Sequence, residues 1–141
     1  MTHIHCYIKE NRITFSAQGH TGYAKQGKDI VCAAVSALTS EWIIAVDEFL
    51  KKGMCGQVLR VLKPGEVVSC ICFDKYDTES VSIIYFLIDV ILQGLEAISE
   101  QYPDNVHVEV DDERNSEDSK HNEVELDEDE EEDRHFLPWK H

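Results

Sequence analysis

The chain has 141 residues, 43% of them apolar, and a formal charge of −15, which suits one domain with a tail. Up to Val108 it carries 13 acidic and nine basic residues, a net of −4, and from Glu109 onward 15 acidic and four basic, a net of −11. The acidity therefore belongs to the C-terminal part, and with no cluster of Lys and Arg the sequence argues against a nucleic-acid-binding surface.

Residues 1–10 are polar and alternating, so no signal peptide is expected. The longest apolar run, residues 81–92, is too short to span a bilayer and carries Asp89, so no membrane segment is expected either. The five cysteines are odd in number and irregularly spaced, which reads as free thiols in a reducing, cytoplasmic compartment.

Ile4, Cys6 and Ile8 alternate over residues 2–9 and predict a half-buried strand. Glu10 and Asn11 turn the chain into a second strand carrying Ile13, Phe15 and Ala17, so the chain opens with a hairpin. Residues 19–28 form a glycine-rich loop. From Asp29 the period changes, with Val31, Val35, Leu38, Trp42, Ala45 and Phe49 as the stripe of an amphipathic helix. That helix ends near Lys51, Lys52 and Gly53, residue types that suit a helix C-terminus. Strands follow at residues 57–63 and 66–73, turned by Pro64 and Gly65. Thr78, Glu79 and Ser80 offer N-cap residues for a second helix reaching Tyr102, with Ile84, Leu87, Ile88, Ile91, Leu95 and Ile98 as its stripe. Pro103 stops it, and residues 105–110 alternate as a last strand.

The order β-β-α-β-β-α-β predicts an α+β, two-layer sandwich: a mostly antiparallel sheet with two helices on one face. The second helix also carries Tyr85, Phe86, Val90 and Leu92 off its stripe, and a helix apolar on two sides needs a second cover. A homodimer is the expected cover. The folded domain is expected over residues 1–110. Residues 111–141 form an acidic tail, with an unbroken block at residues 127–133 that repels itself and is expected to be disordered.

The segment from Gly19 to Leu38 concentrates chemistry. Gly22, Gly27 and Lys28 nearly spell a phosphate-binding loop, but the position that should offer magnesium a hydroxyl is Asp29, and the loop follows a hairpin rather than a parallel βαβ unit. The second reading starts from Asp29 as N-cap, which puts Cys32 in the first helical turn. There the macrodipole and unpaired backbone amides favour thiolate and could stabilise an oxyanion. The glycine-rich loop can fold His20 back as the base, with Ser36 one turn beyond Cys32 on the same face. Asp29 could instead orient His20. On the residues alone, Cys32 reads either as a nucleophile or as a small buried hydrophobe.

Gly19-His20, Gly22-Tyr23-Ala24, Gly27 and the run from Asp29 to Ser36 resemble the signature of the Prp family of ribosomal-processing cysteine proteases, including the spacing from histidine to cysteine. The resemblance implies a dimeric α+β endopeptidase that removes a short N-terminal extension from a large-subunit ribosomal protein, number twenty-seven. It implies His20 as base and Cys32 as nucleophile, with Gly19, Asp29 and Ser36 in support. The loop holding Gly22 and Gly27 would be a mobile flap, and no cofactor is required. Two features depart from the family pattern. Thr21 stands where a smaller residue is expected, a change expected to do little, and the acidic tail is additional. The rival reading is a non-catalytic, ribosome-associated module that binds basic proteins through that tail.

Other residues invite chemistry less strongly. His3 and His5 share a strand face as metal ligands would, but no third ligand is evident from the sequence, so no metal is expected. Cys70 and Cys72, with Cys55 nearby, lack the spacing of a thiolate metal site and are expected to be core thiols. His107 is expected to face solvent, and Trp42 the core.

Overall fold

The computed structural model describes residues 1–25 and 27–114. The acidic block at residues 127–133 lies outside the described residues. The elements are β1 (Thr2–Lys9), β2 (Arg12–Gln18), α1 (Ile30–Lys51), β3 (Gly56–Lys63), β4 (Glu66–Cys72), α2 (Thr78–Gln101) and β5 (Val106–Asp112). They occur in the expected order. The five strands form one sheet in the order β3-β4-β2-β1-β5. Three neighbouring pairs are antiparallel, and β1 with β5 is parallel.

Period-two alternation sets which side chains enter the core. Ile4, Cys6 and Ile8 on β1 face the same side as Ile13 and Phe15 on β2 and Ile71 on β4, and all are essentially inaccessible to solvent. Both helices cover that side with Trp42, Val46, Ile84, Ile88 and Leu95. By length and composition each helix could cross a membrane. Each nevertheless lays a buried stripe into the core of this α+β sandwich. All five cysteines are free thiols. Burial pushes the Cys6 thiol up to about 12, which marks it as a neutral core residue.

Several local expectations need correction. The α1 stripe runs through Thr39 and Val46, while Leu38 and Ala45 are only half-buried. The N-cap of α2 is Asp77 rather than Thr78, Glu79 or Ser80. Its carboxylate accepts from the Ser80 amide and hydroxyl, which a residue inside the helix cannot do. Tyr85 and Leu92 do not need an external cover. The Tyr85 hydroxyl donates to the carbonyls of Lys9 and Glu10, and Leu92 is buried. Ile83, Phe86 and Val90 remain exposed on α2, Phe86 at 72%. β5 runs past Val110 to Asp112, because Asp111 and Asp112 continue the ladder with Tyr7 and Ile8. Arg114 then ties the chain to α2 through Asp89, with its guanidinium 4.7 Å over the Tyr85 ring.

Candidate active site

The strand register gathers one end of the sheet. Thr2 at the start of β1 pairs with Val106 at the start of β5, and Gln18 at the end of β2 pairs with Glu66 at the start of β4. The β3–β4 turn and the N-terminus of α1 lie at the same end and line a cavity of about 730 Å³ with them. His20, Cys32, Gly19, Gly22, Gly27, Asp29 and Ser36 all line this cavity. Every site residue expected from the sequence therefore converges on one cleft, of a size typical for small-ligand and peptide sites.

Asp29 is the hub of the segment. It caps α1 with extended backbone, and its Oδ1 accepts from the Cys32 amide at 2.8 Å. Its Oδ2 accepts from the Thr21 hydroxyl and from the amides of Tyr23 and Ala24, at 3.2 and 3.4 Å. Partial desolvation pushes this carboxyl up. The hydrogen bonds from Thr21, Cys32, Ala24 and Tyr23 outweigh that and hold it below the usual carboxylate range. One anion thus fixes both the start of the helix and the path of the loop. Asp29 caps α1, and among the described residues no hydrogen bond joins it to His20.

Cys32 is half-buried in the first turn of α1, and Ser36 lies one turn on, exposed to the same cavity. The Cys32 amide is taken by the Asp29 cap and the Ala33 amide by the Asp29 carbonyl. Neither is a free donor for an oxyanion, which corrects the expectation of unpaired amides at that point.

His20 sits on the loop just beyond β2, and its ring lies against the β3–β4 turn. A Cβ built on Gly65 would stand 3.2 Å from His20 Nε2, and the Gly65 φ is +76°. Among the described residues no hydrogen bond joins the imidazole to Cys32. The loop is also braced from behind: the Gly19 amide donates to the Gly65 carbonyl at 2.9 Å, and a Cβ on Gly19 would meet the Met1 carbonyl oxygen at 2.5 Å.

Thr21 does more than the sequence suggests. It is 1% exposed, donates to Asp29, and its carbonyl accepts from Asn105 Nδ2 at 2.9 Å. Sequence reasoning missed Thr21 as a brace, together with Asn105 and Gly65. For Thr21 a signal existed: a hydroxyl beside the loop histidine, eight residues from an N-cap aspartate. The other two are brought in by strand register and carry no local mark.

Several solved structures share this fold, among them the following three. The ribosomal processing protease Prp from S. aureus, in complex with a covalently linked product peptide, aligns at 17% identity with a TM-score of 0.57, covering 78% of this chain and 99% of that one. The same protease with a substrate peptide aligns at 19% and 0.54, covering 78% and 99%. SMU.848 from Streptococcus mutans aligns at 22% and 0.57, covering 80% and 96%. No curated protein matches the chain. The family model described as cysteine protease Prp matches residues 1–107, the segment that spans the cleft and its cysteine, and the chain therefore belongs to the cysteine protease Prp family.

Proposed function

We propose that this protein is a cytoplasmic endopeptidase that removes a short N-terminal extension from a large-subunit ribosomal protein, number twenty-seven, during ribosome assembly. The observation that carries the reading is the shared cleft: a helix-start thiol and a loop imidazole line one cavity. The S. aureus Prp structures with peptides support it through their common fold.

In this reading His20 takes the Cys32 proton and the thiolate attacks the carbonyl carbon of the scissile bond. The tetrahedral intermediate collapses to a thioester, and the amine leaves with the proton held by His20. Water, deprotonated by His20, then attacks the thioester and restores the thiol. The imidazole keeps its seat against Gly65, and substrate entering the cleft closes the remaining distance to the thiol. Gly22 and Gly27, with φ of +69° and +87°, let the loop close over the peptide. Ser36 contacts the bound peptide one turn from the nucleophile. Ile83, Phe86 and Val90 form the contact of a homodimer, which removes their apolar surface from water.

The test is cleavage of a peptide spanning the extension, read by mass, beside Cys32→Ala and His20→Ala. One defined cut, lost in both variants, is expected. No cut, with equal peptide binding by wild type and Cys32→Ala, would leave Cys32 a packing residue and make the protein a binding module.

A further inference from the structure

The helices cover one face of the sheet, and the opposite face carries a second cluster of chemistry. On β1, His3, His5 and Tyr7 alternate with the buried Ile4, Cys6 and Ile8, so they point away from the helices. On β5, His107, Glu109 and Asp111 alternate with Val106, Val108 and Val110. The parallel register sets His3 opposite His107, His5 opposite Glu109, and Tyr7 opposite Asp111. Five side chains of metal-ligating type thus occupy alternate positions of two adjacent strands.

Their geometry is close. His5 Nε2 lies 2.6 Å from Asp111 Oδ2. One ligand atom from each of His5, Glu109 and Asp111 lies within 4.8 Å of the other two. The rings of His3 and His107 meet edge to face with centroids 5.9 Å apart, one step along the same strands.

We propose that this patch binds a divalent first-row transition-metal ion of the zinc class through His5, Glu109 and Asp111. Tetrahedral ligands held at about 2.0–2.2 Å from an ion stand about 3.3–3.6 Å apart, so these exposed side chains need only small adjustments, His5 and Asp111 opening slightly and Glu109 closing in. An imidazole nitrogen with two carboxylate oxygens suits zinc and its neighbours, whereas calcium takes six to eight oxygens and magnesium an oxygen octahedron. Two carboxylates stand beside one imidazole here, only Asp111 bonded to it, and the ion neutralises their negative charge. It takes the place of the proton between His5 and Asp111, and it draws in Glu109, which has no cation partner among the described residues. His3 and His107, edge to face, place further imidazole nitrogens alongside. The bound ion bridges β1 to the edge strand β5, and a ligand that binds only the folded state raises its stability.

The test is calorimetric titration of the full-length protein, reduced and stripped of metal, with zinc ions. Changes one shell further out typically cost about ten- to a hundredfold in metal affinity, so losing a direct ligand should cost at least about tenfold. One ion per wild-type chain is expected, weakened to that extent in His5→Ala, Glu109→Gln and Asp111→Asn. A chain with His121, His135 and His141 changed to Ala, and the Cys72→Ser variant, should bind as wild type. Zinc should raise the melting temperature of wild type more than that of Glu109→Gln at the same zinc concentration, while the two melt alike without metal. No binding by wild type, equal binding by His5→Ala, or loss only in the tail or thiol variant would overturn the proposal.

Discussion

Gly65 offers a direct test of how the His20 ring is seated. Its φ of +76° is a left-handed conformation, and a Cβ there would stand 3.2 Å from His20 Nε2, inside the 3.4 Å where ordinary contact begins. Gly65→Ala therefore carries two costs. The backbone cost is about 1–2 kcal/mol for an L-residue in this region, which for a domain of this size lowers Tm by about 4–8 °C per kcal/mol. The steric cost falls on the imidazole, which must shift by a few tenths of an ångström. A misplacement of about 1 Å can cost about a hundredfold in rate, and on the same scale this shift should cost about three- to tenfold in kcat/KM. Gly53→Ala separates the two. Its φ is +67°, yet nothing lies within 4 Å of the added Cβ, at the far end of α1. The assay is cleavage of the extension peptide, well below both melting temperatures, with melting followed in parallel. Both variants should lose similar stability, and only Gly65→Ala should lose activity. Equal cleavage by the two variants would refute the view that the β3–β4 turn seats the imidazole.

Two further outcomes are expected. Phe86→Glu puts a charge into the exposed α2 stripe, so light scattering should find wild type as a dimer and this variant as a monomer; a monomeric wild type would remove the dimer. Asp29→Asn keeps the shape of the cap but loses the anion. Because the folded-state pKa of Asp29 is lowered, its stabilisation is present above the ordinary carboxylate pKa and lost as pH falls through the lower folded value. The Tm gap between wild type and Asp29→Asn should hold steady from neutral pH into mild acid, then close below the usual carboxylate range; a gap that grew with acid would contradict this assignment.

What the sequence made legible was local. Asp29 could be read as a cap, and Cys32 as a first-turn residue, because helix capping acts over three residues and the apolar period begins beside it. The seven elements followed from period and punctuation. Strand order did not. Nothing within residues 2–9 or 106–112 says that β1 and β5 lie parallel and adjacent, since that depends on which edge the chain reaches after α2 packs on the sheet. The sequence therefore offered His3 and His5 no third ligand, whereas the register places Glu109 opposite His5 and Asp111 within hydrogen-bond reach. Gly65 and Asn105 were missed for the same reason. Each looks like ordinary turn chemistry, and each acquires its role from a loop more than 40 residues away.

The cleft depends on both ends of the folded chain. The Thr2 amide donates to the Asn105 carbonyl, Asn105 Nδ2 donates to the Thr21 carbonyl, and the Thr21 hydroxyl bonds the Asp29 cap. These bonds run from the first strand, through the turn before the last strand, to the loop that carries His20 and the helix that carries Cys32. Thr21 is buried within this path, so its hydroxyl and carbonyl are both paired where water cannot substitute. The thiol and the imidazole are contributed by neighbouring parts of the sequence, and the loop between them is braced through Thr21 and Asn105 from the β1–β5 seam. A perturbation at the β1–β5 seam can therefore reach the cleft through Asn105 without touching Cys32 or His20.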